Sequence, residues 1–236
     1  QATVHPDIPG FKETWAENFA EYDPEKARQL LEEIGLNEKN SEGWRLGSDG
    51  EPVTIELLYH EEGHWVPIME LVRDYWRKIG INVNMRSASM QNLLNLVSAN
   101  ELPVFTWVLD RVHGPAFIES RGSWLNPNFW FGPIGPDWAS WFTDPETGEE
   151  PPEVIKEIQE KADQLPFVTP EEQEEIITFI GDAYSENLWI IGTVGLTGIP
   201  VVAKNDLGNV REDAFPDNIS VGGTRNNWME QFYWKK

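Results

Sequence analysis

The chain has no cysteine in its 236 residues. Disulfides, thiolate metal sites and cysteine nucleophiles are therefore excluded, while the compartment is left open. Basic residues are also few. Against 40 Asp plus Glu stand only 18 Lys plus Arg, for a net charge of -22. A nucleic-acid backbone needs Lys and Arg to displace its counterions, so nucleic acid is excluded as a partner. Anionic membrane surfaces are disfavoured for the same reason. The acidity suits solubility and an extracytoplasmic or saline setting. No apolar run approaches the ~20 residues of a membrane helix, and no signal-peptide pattern is seen. Gln1 stands where a start methionine would, so a processed protein or an excised fragment is expected.

Tryptophan, by contrast, is abundant, with 12 residues. Most suit core packing. A minority in Gly/Pro-rich loops suit stacking on flat ligands such as sugar rings or peptide side chains.

Residues 1–22 carry the breakers Pro6, Pro9 and Gly10 and read as irregular. Asp23 then caps a helix over Pro24–Ile34, with Pro24 in its first turn and Gly35 as the stop. Val53–Tyr59 reads as a strand, Trp65–Ile79 as a helix and Ile81–Met85 as a strand. Ser89 opens a helix to Asn100, and Val104–Leu109 is a buried strand. Strands and helices alternating at this spacing make βαβ units with parallel neighbours, hence an α/β fold. Gly114–Pro152 reads as a long Trp-rich loop, of the kind that carries function. Helices are expected over Glu153–Leu165 and, from a capping box at Thr169 and Glu172, up to Tyr184. Leu188–Val194 and Ile199–Ala203 look like strands. The tail from Lys204 has few regular signals.

Leu102–Pro115 is the stretch around which the chain is organised. In open α/β sheets ligands bind at the carboxyl ends of strands. Asp110 follows the apolar strand at once, three residues after Trp107. It is a candidate polar anchor beside an aromatic wall, although a turn-capping Asp over a core Trp fits the same pattern.

Other chemistry is weakly supported. His60-Glu61-Glu62-Gly63-His64 matches the H-E-x-x-H zinc pattern literally. That pattern works only on a helix, where both His face one ion. Here it follows a strand, Gly63 weakens a helix and Pro67 comes close behind, so a polar loop is expected. Paired carboxylates for glycoside hydrolysis need a fixed separation across a cleft, which sequence does not supply. The Gly192–Gly198 stretch lacks the spacing of a dinucleotide fingerprint, and no Ser-centred nucleophile elbow is present.

The order of segments resembles that of family 5 extracellular solute-binding proteins, the dipeptide/oligopeptide-type receptors of ABC importers. The resemblance rests on Tyr22-Asp23-Pro24-Glu25-Lys26-Ala27-Arg28-Gln29-Leu30-Leu31 with Gly35-Leu36, then on Val53–Leu58 and on Tyr75–Val83 around Lys78-Ile79-Gly80-Ile81-Asn82-Val83. It continues through Trp107–Pro115, Thr169–Ile191 and Val201–Arg211, where Asn209-Val210 is literal. It implies a periplasmic-binding-protein-like lobe with a mixed, partly parallel sheet flanked by helices. Residues 1–236 would form the C-terminal lobe, with an α/β core over about 22–203 and a tail, 204–236, returning to a first lobe. In peptide-binding members the Asp matching Asp110 holds the ligand's α-amino group, and the Trp matching Trp107 lines a pocket. Where the family often has an aromatic, this chain has Arg111-Val112-His113. The Trp-rich segment to Trp141 and residues 148–152 resemble those of oligosaccharide-binding members. The expected ligand contacts are Asp110 and Trp107 from the resemblance, Trp124 and Trp130 as further stacking surfaces, and Arg111 and His113 beside Asp110, for an oligopeptide or a short oligosaccharide. The resemblance further implies no catalysis, no cofactor and no metal. It also implies an ABC permease as partner, a monomeric receptor and a periplasmic or extracellular location, with a membrane anchor on the full-length protein as an option. A secreted hydrolase using His60/Glu61/His64 or a carboxylate pair is the alternative.

Overall fold

Strand β1, Thr54–His60, buries Leu57, Leu58 and Tyr59 in succession. Successive strand residues point to opposite faces, so three buried neighbours require cover on both sides. Helices α3, Trp65–Lys78, and α4, Met90–Ser98, both contact β1 and supply that cover. Strand β2, Asn82–Ala88, pairs parallel with β1 from Thr54↔Asn82 to His60↔Ala88. On the other side Leu57 and Leu58 pair parallel with Val104 and Phe105 of β3. The order β2-β1-β3 is that of two consecutive βαβ crossovers.

The structure, a computed structural model, describes residues 1–61, 65–101, 104–130, 132–195, 202–210 and 232–235. The chain divides into two compact units. The sheet unit is Glu21–Trp107 with Gly135–Asp137, and the helical unit is Gln1–Ala20, Val108–Ile134 and Trp138–Lys236.

Local signals place the long elements where expected. In α2, Pro24–Glu33, the Asp23 side chain accepts from Lys26 N–H at 2.9 Å. Ser89 accepts from the Asn92 N–H at the start of α4. The sheet unit also buries a charge. Arg45 is 0% exposed and donates to the carbonyls of Ile79 (2.8 Å) and Leu36, and to Glu32 at 3.3 Å. It thus satisfies backbone acceptors just past the ends of α2 and α3, where a cation also favours the helix dipoles.

In the helical unit, α7, Glu153–Gln164, and α8, Pro170–Asn187, carry most of the core: Ile155, Ile158, Ala162, Ile177 and Ile180. The capping box is present, with Thr169 and Glu172 each accepting the other's backbone N–H.

Several expectations are corrected. Residues 1–22 are not all irregular, since Glu13–Glu17 forms α1 and buries Trp15. The strand expected over Val104–Leu109 stops at Phe105, so Asp110 lies five residues past its end. Leu102 and Pro103 lie outside the described residues. The long loop of 114–152 is instead punctuated by α5, Gly114–Glu119, a 3-10 turn at Ser123–Leu125, and α6, Pro136–Thr143. Pro115 and Pro136 open these helices, a position that needs no proline N–H. Such short helices show no usable apolar period. Residues 188–194 form no strand; Trp189 and Ile190 pack on the helical core instead. Of the strand expected over Ile199–Ala203, residues 199–201 lie outside the described residues. In the tail, β4, Leu207–Gly208, pairs antiparallel with β5, Tyr233–Trp234.

Candidate functional site

Among its described residues the helical unit buries the uncharged polar side chains of Ser123, Asn126 and Gln159. Buried polar groups are costly unless hydrogen-bonded, and all three belong to one network around residues 121–128. Asn126 Nδ2 donates to the Arg121 carbonyl at 2.7 Å, and Asn126 Oδ1 accepts from Asn128 N–H at 2.8 Å. From α7, Gln159 Oε1 accepts from the same N–H at 3.1 Å. Gln159 also donates to Asp163 at 3.0 Å, and Asp163 pairs with Arg121 at 3.1 Å. The segment is clamped at both ends.

Its backbone is unusual. Arg121, Gly122 and Ser123 have φ of 52°, 91° and 49°. Two of them are not glycine, so the left-handed conformation costs energy that tertiary contacts must offset. The turn so formed faces Asp110. Ser123 Oγ donates to the Asp110 carbonyl at 2.9 Å, and Trp124 Nε1–H donates to Asp110 Oδ1. Trp124 is 4% exposed, and its ring meets Phe129 at 5.4 Å and Trp130 at 5.9 Å, edge to face in both pairs. Trp130 is 58% exposed. The Arg111 guanidinium sits 5.9 Å from the Phe129 ring centre. A half-buried carboxylate, a guanidinium and an open indole are thus tied to one rigid turn.

The predicted contacts separate accordingly. Asp110, Arg111, Trp124 and Trp130 are linked through this turn. Trp124, expected as a stacking surface, is a buried hydrogen-bond donor. His113 precedes α5 and packs its ring 3.9 Å from that of His5, whose N–H donates to the Val112 carbonyl. Trp107 belongs to the sheet unit, where its ring meets His60 at 6.3 Å. Sequence reasoning missed Ser123, Asn126, Gln159 and Phe129. Only Gly122 hinted at a special turn.

The zinc pattern does not lie on a helix at its described end. His60 closes β1, and Glu61 N–H donates to the Ala88 carbonyl as the ladder continues. Residues 62–64 lie outside the described residues. Among the described residues, no three His, Asp or Glu are grouped to hold a metal ion.

A parallel sheet flanked by helices is the architecture of periplasmic-binding-protein-like lobes. Residues 1–124 match the bacterial extracellular solute-binding proteins, family 5 (middle region), and the chain belongs to that family. The structure is similar to the oligopeptide-binding protein OppA, with a TM-score of 0.75 and 27% identity, covering 100% of this chain and 39% of that one. It is also similar to the periplasmic binding protein MelB of Agrobacterium fabrum C58 in complex with stachyose. There the TM-score is 0.62 and the identity 17%, over 80% of this chain and 28% of that one. A periplasmic oligopeptide-binding protein of Thermotoga maritima with bound mannohexaose gives 0.54 and 14%, over 79% and 34%. The last two likenesses are of fold alone. The chain thus spans 39% of the length of the OppA structure it matches. No curated protein sequence matches it.

Proposed function

We propose that this chain is the C-terminal lobe of an extracytoplasmic receptor that delivers a solute to an ABC importer. The receptor closes a cleft on an oligopeptide or a short oligosaccharide and catalyses nothing. Lobe closure desolvates the ligand, and a few fixed polar groups then set its orientation. The observation that carries this reading is the Asp110 carboxylate, held by Trp124 beside the open Trp130 ring and followed by Arg111. An indole stacks on a sugar ring, while hydroxyls donate to the carboxylate and accept from the guanidinium. The same carboxylate also suits a peptide's terminal ammonium. Trp107 enters on the resemblance of its segment alone, and His113 through its place next to the Arg111 turn.

The receptor works outside the cytoplasmic membrane, as a monomer that docks on permease subunits. No helix among the described residues is long and apolar enough to cross a membrane. Anchoring, where present, would belong to the full-length protein.

The test is tryptophan fluorescence of the full-length receptor, titrated with a tryptic peptide mixture and with mixed manno- and gluco-oligosaccharides. One class should bind, and Asp110→Ala should weaken it roughly 10- to 100-fold, the loss of a hydrogen bond to a charged group. Binding of neither class, or unchanged affinity after Asp110→Ala, removes the proposed site.

A further inference from the structure

We infer that Trp124 and Ser123 are positioning residues, which act on a ligand only by fixing the Asp110 carboxylate. This rests on the reading of Asp110 as a ligand contact. Trp124 is too deeply buried to offer its face, so it cannot serve as a stacking platform. Its one polar atom is spent on Asp110 Oδ1, while Ser123 Oγ holds the carbonyl of the same residue. Two bonds from adjacent residues to one residue, side chain and main chain, remove its rotational freedom about χ1 and its backbone freedom together. Such freedom would otherwise be lost on binding, and its prior removal raises affinity.

The surrounding outlay supports the assignment. Arg121 and Ser123 hold left-handed backbone, and Asn126 and Gln159 are buried polar side chains. These features converge on the turn that faces Asp110. Were the turn only a packing element, apolar side chains would fill it at lower cost. Arg111, the next residue, is itself left-handed at φ 56°. The direction in which the carboxylate leaves the chain is therefore set from both sides.

The experiment is a double-mutant cycle on the full-length receptor. The probe is the peptide or oligosaccharide that the receptor retains most strongly from the two mixtures above. Trp124→Phe deletes the donor but also shrinks the buried ring; Ser123→Ala, which removes only the hydroxyl, is the milder second variant, in case the first folds poorly. Each should weaken binding, about tenfold and threefold respectively, when Asp110 is present. Each should have no effect in the Asp110→Ala background. Equal losses in both backgrounds, or no loss in either, overturn the positioning role while leaving Asp110 as a contact. Unchanged binding after Asp110→Ala overturns the site reading and this inference with it.

Discussion

Trp15 and Trp124 are both buried indoles whose Nε1–H donates to a carboxylate, Asp182 in one case and Asp110 in the other. The settings differ. Trp15 lies on α1 and packs on α8, where a Cβ on Gly181 would come within 2.5 Å of its ring. Asp182 is also held by Lys12 Nζ, at 2.8 and 2.7 Å to its two oxygens. That pair is a charge-neutralised staple between two helices. The Trp124 pair is built instead on a left-handed turn, with main-chain restraint from Ser123 and support from α7. The same contact thus joins elements in one place and aims a side chain in the other. The support around each pair distinguishes them; the bond itself does not.

Breaking the staple should cost stability most. Gly181→Ala should lower the unfolding free energy by about 3 kcal/mol, through overpacking against Trp15, as read by thermal or urea denaturation. Trp15→Phe deletes the donor and leaves a small cavity where the larger indole sat, and should cost about 2 kcal/mol. It should leave the affinity for peptide or oligosaccharide probes unchanged, whereas Trp124→Phe should lower that affinity. Parallel effects of the two variants on binding would erase the distinction.

Acid sharpens the comparison further. Burial pushes the Asp182 carboxyl up, but Lys12 and the Trp15 indole outweigh it and hold it below its ordinary value of 3.8. A depressed carboxylate stabilises the fold above that value and loses its contribution as pH falls through the lower, folded one. Denaturation midpoints should therefore drop with acid below about pH 4, and Asp182→Asn should flatten that slope. The smallest effect is expected at Tyr184. Its hydroxyl is buried and has no hydrogen-bond partner among the described residues, and burial raises its pKa. Tyr184→Phe should be neutral or stabilising by up to about 1 kcal/mol, unlike Trp15→Phe in the same core.

Much of the sheet unit is legible from local residues. Asp23 with Pro24, Ser89, and the alternation of strand and helix patterns each act over a few positions, and the parallel β1–β2 ladder follows from their spacing. Arg45 is the exception there. Its side chain is polar in every local sense, and only the carbonyl groups past two helix ends make a buried site for it. The helical unit divides similarly. The Thr169–Glu172 box and the apolar period of α7 and α8 could be read directly, but α1, α5 and α6 are too short for a period to emerge.

By itself, then, the sequence determined the long helices, the parallel strands, the acidic and cysteine-free chemistry, and a family likeness that singled out Asp110. These depend on capping, periodicity and composition, which act between near neighbours. Only the tertiary structure decided that Trp124 is a buried donor while Trp130 is open, and that β3 ends well before Asp110. It also decided that Arg121 and Ser123 adopt left-handed backbone. The burial of an indole and the sign of a non-glycine φ are set by what distant segments pack and bond there, and α7 lies some thirty residues further along the chain.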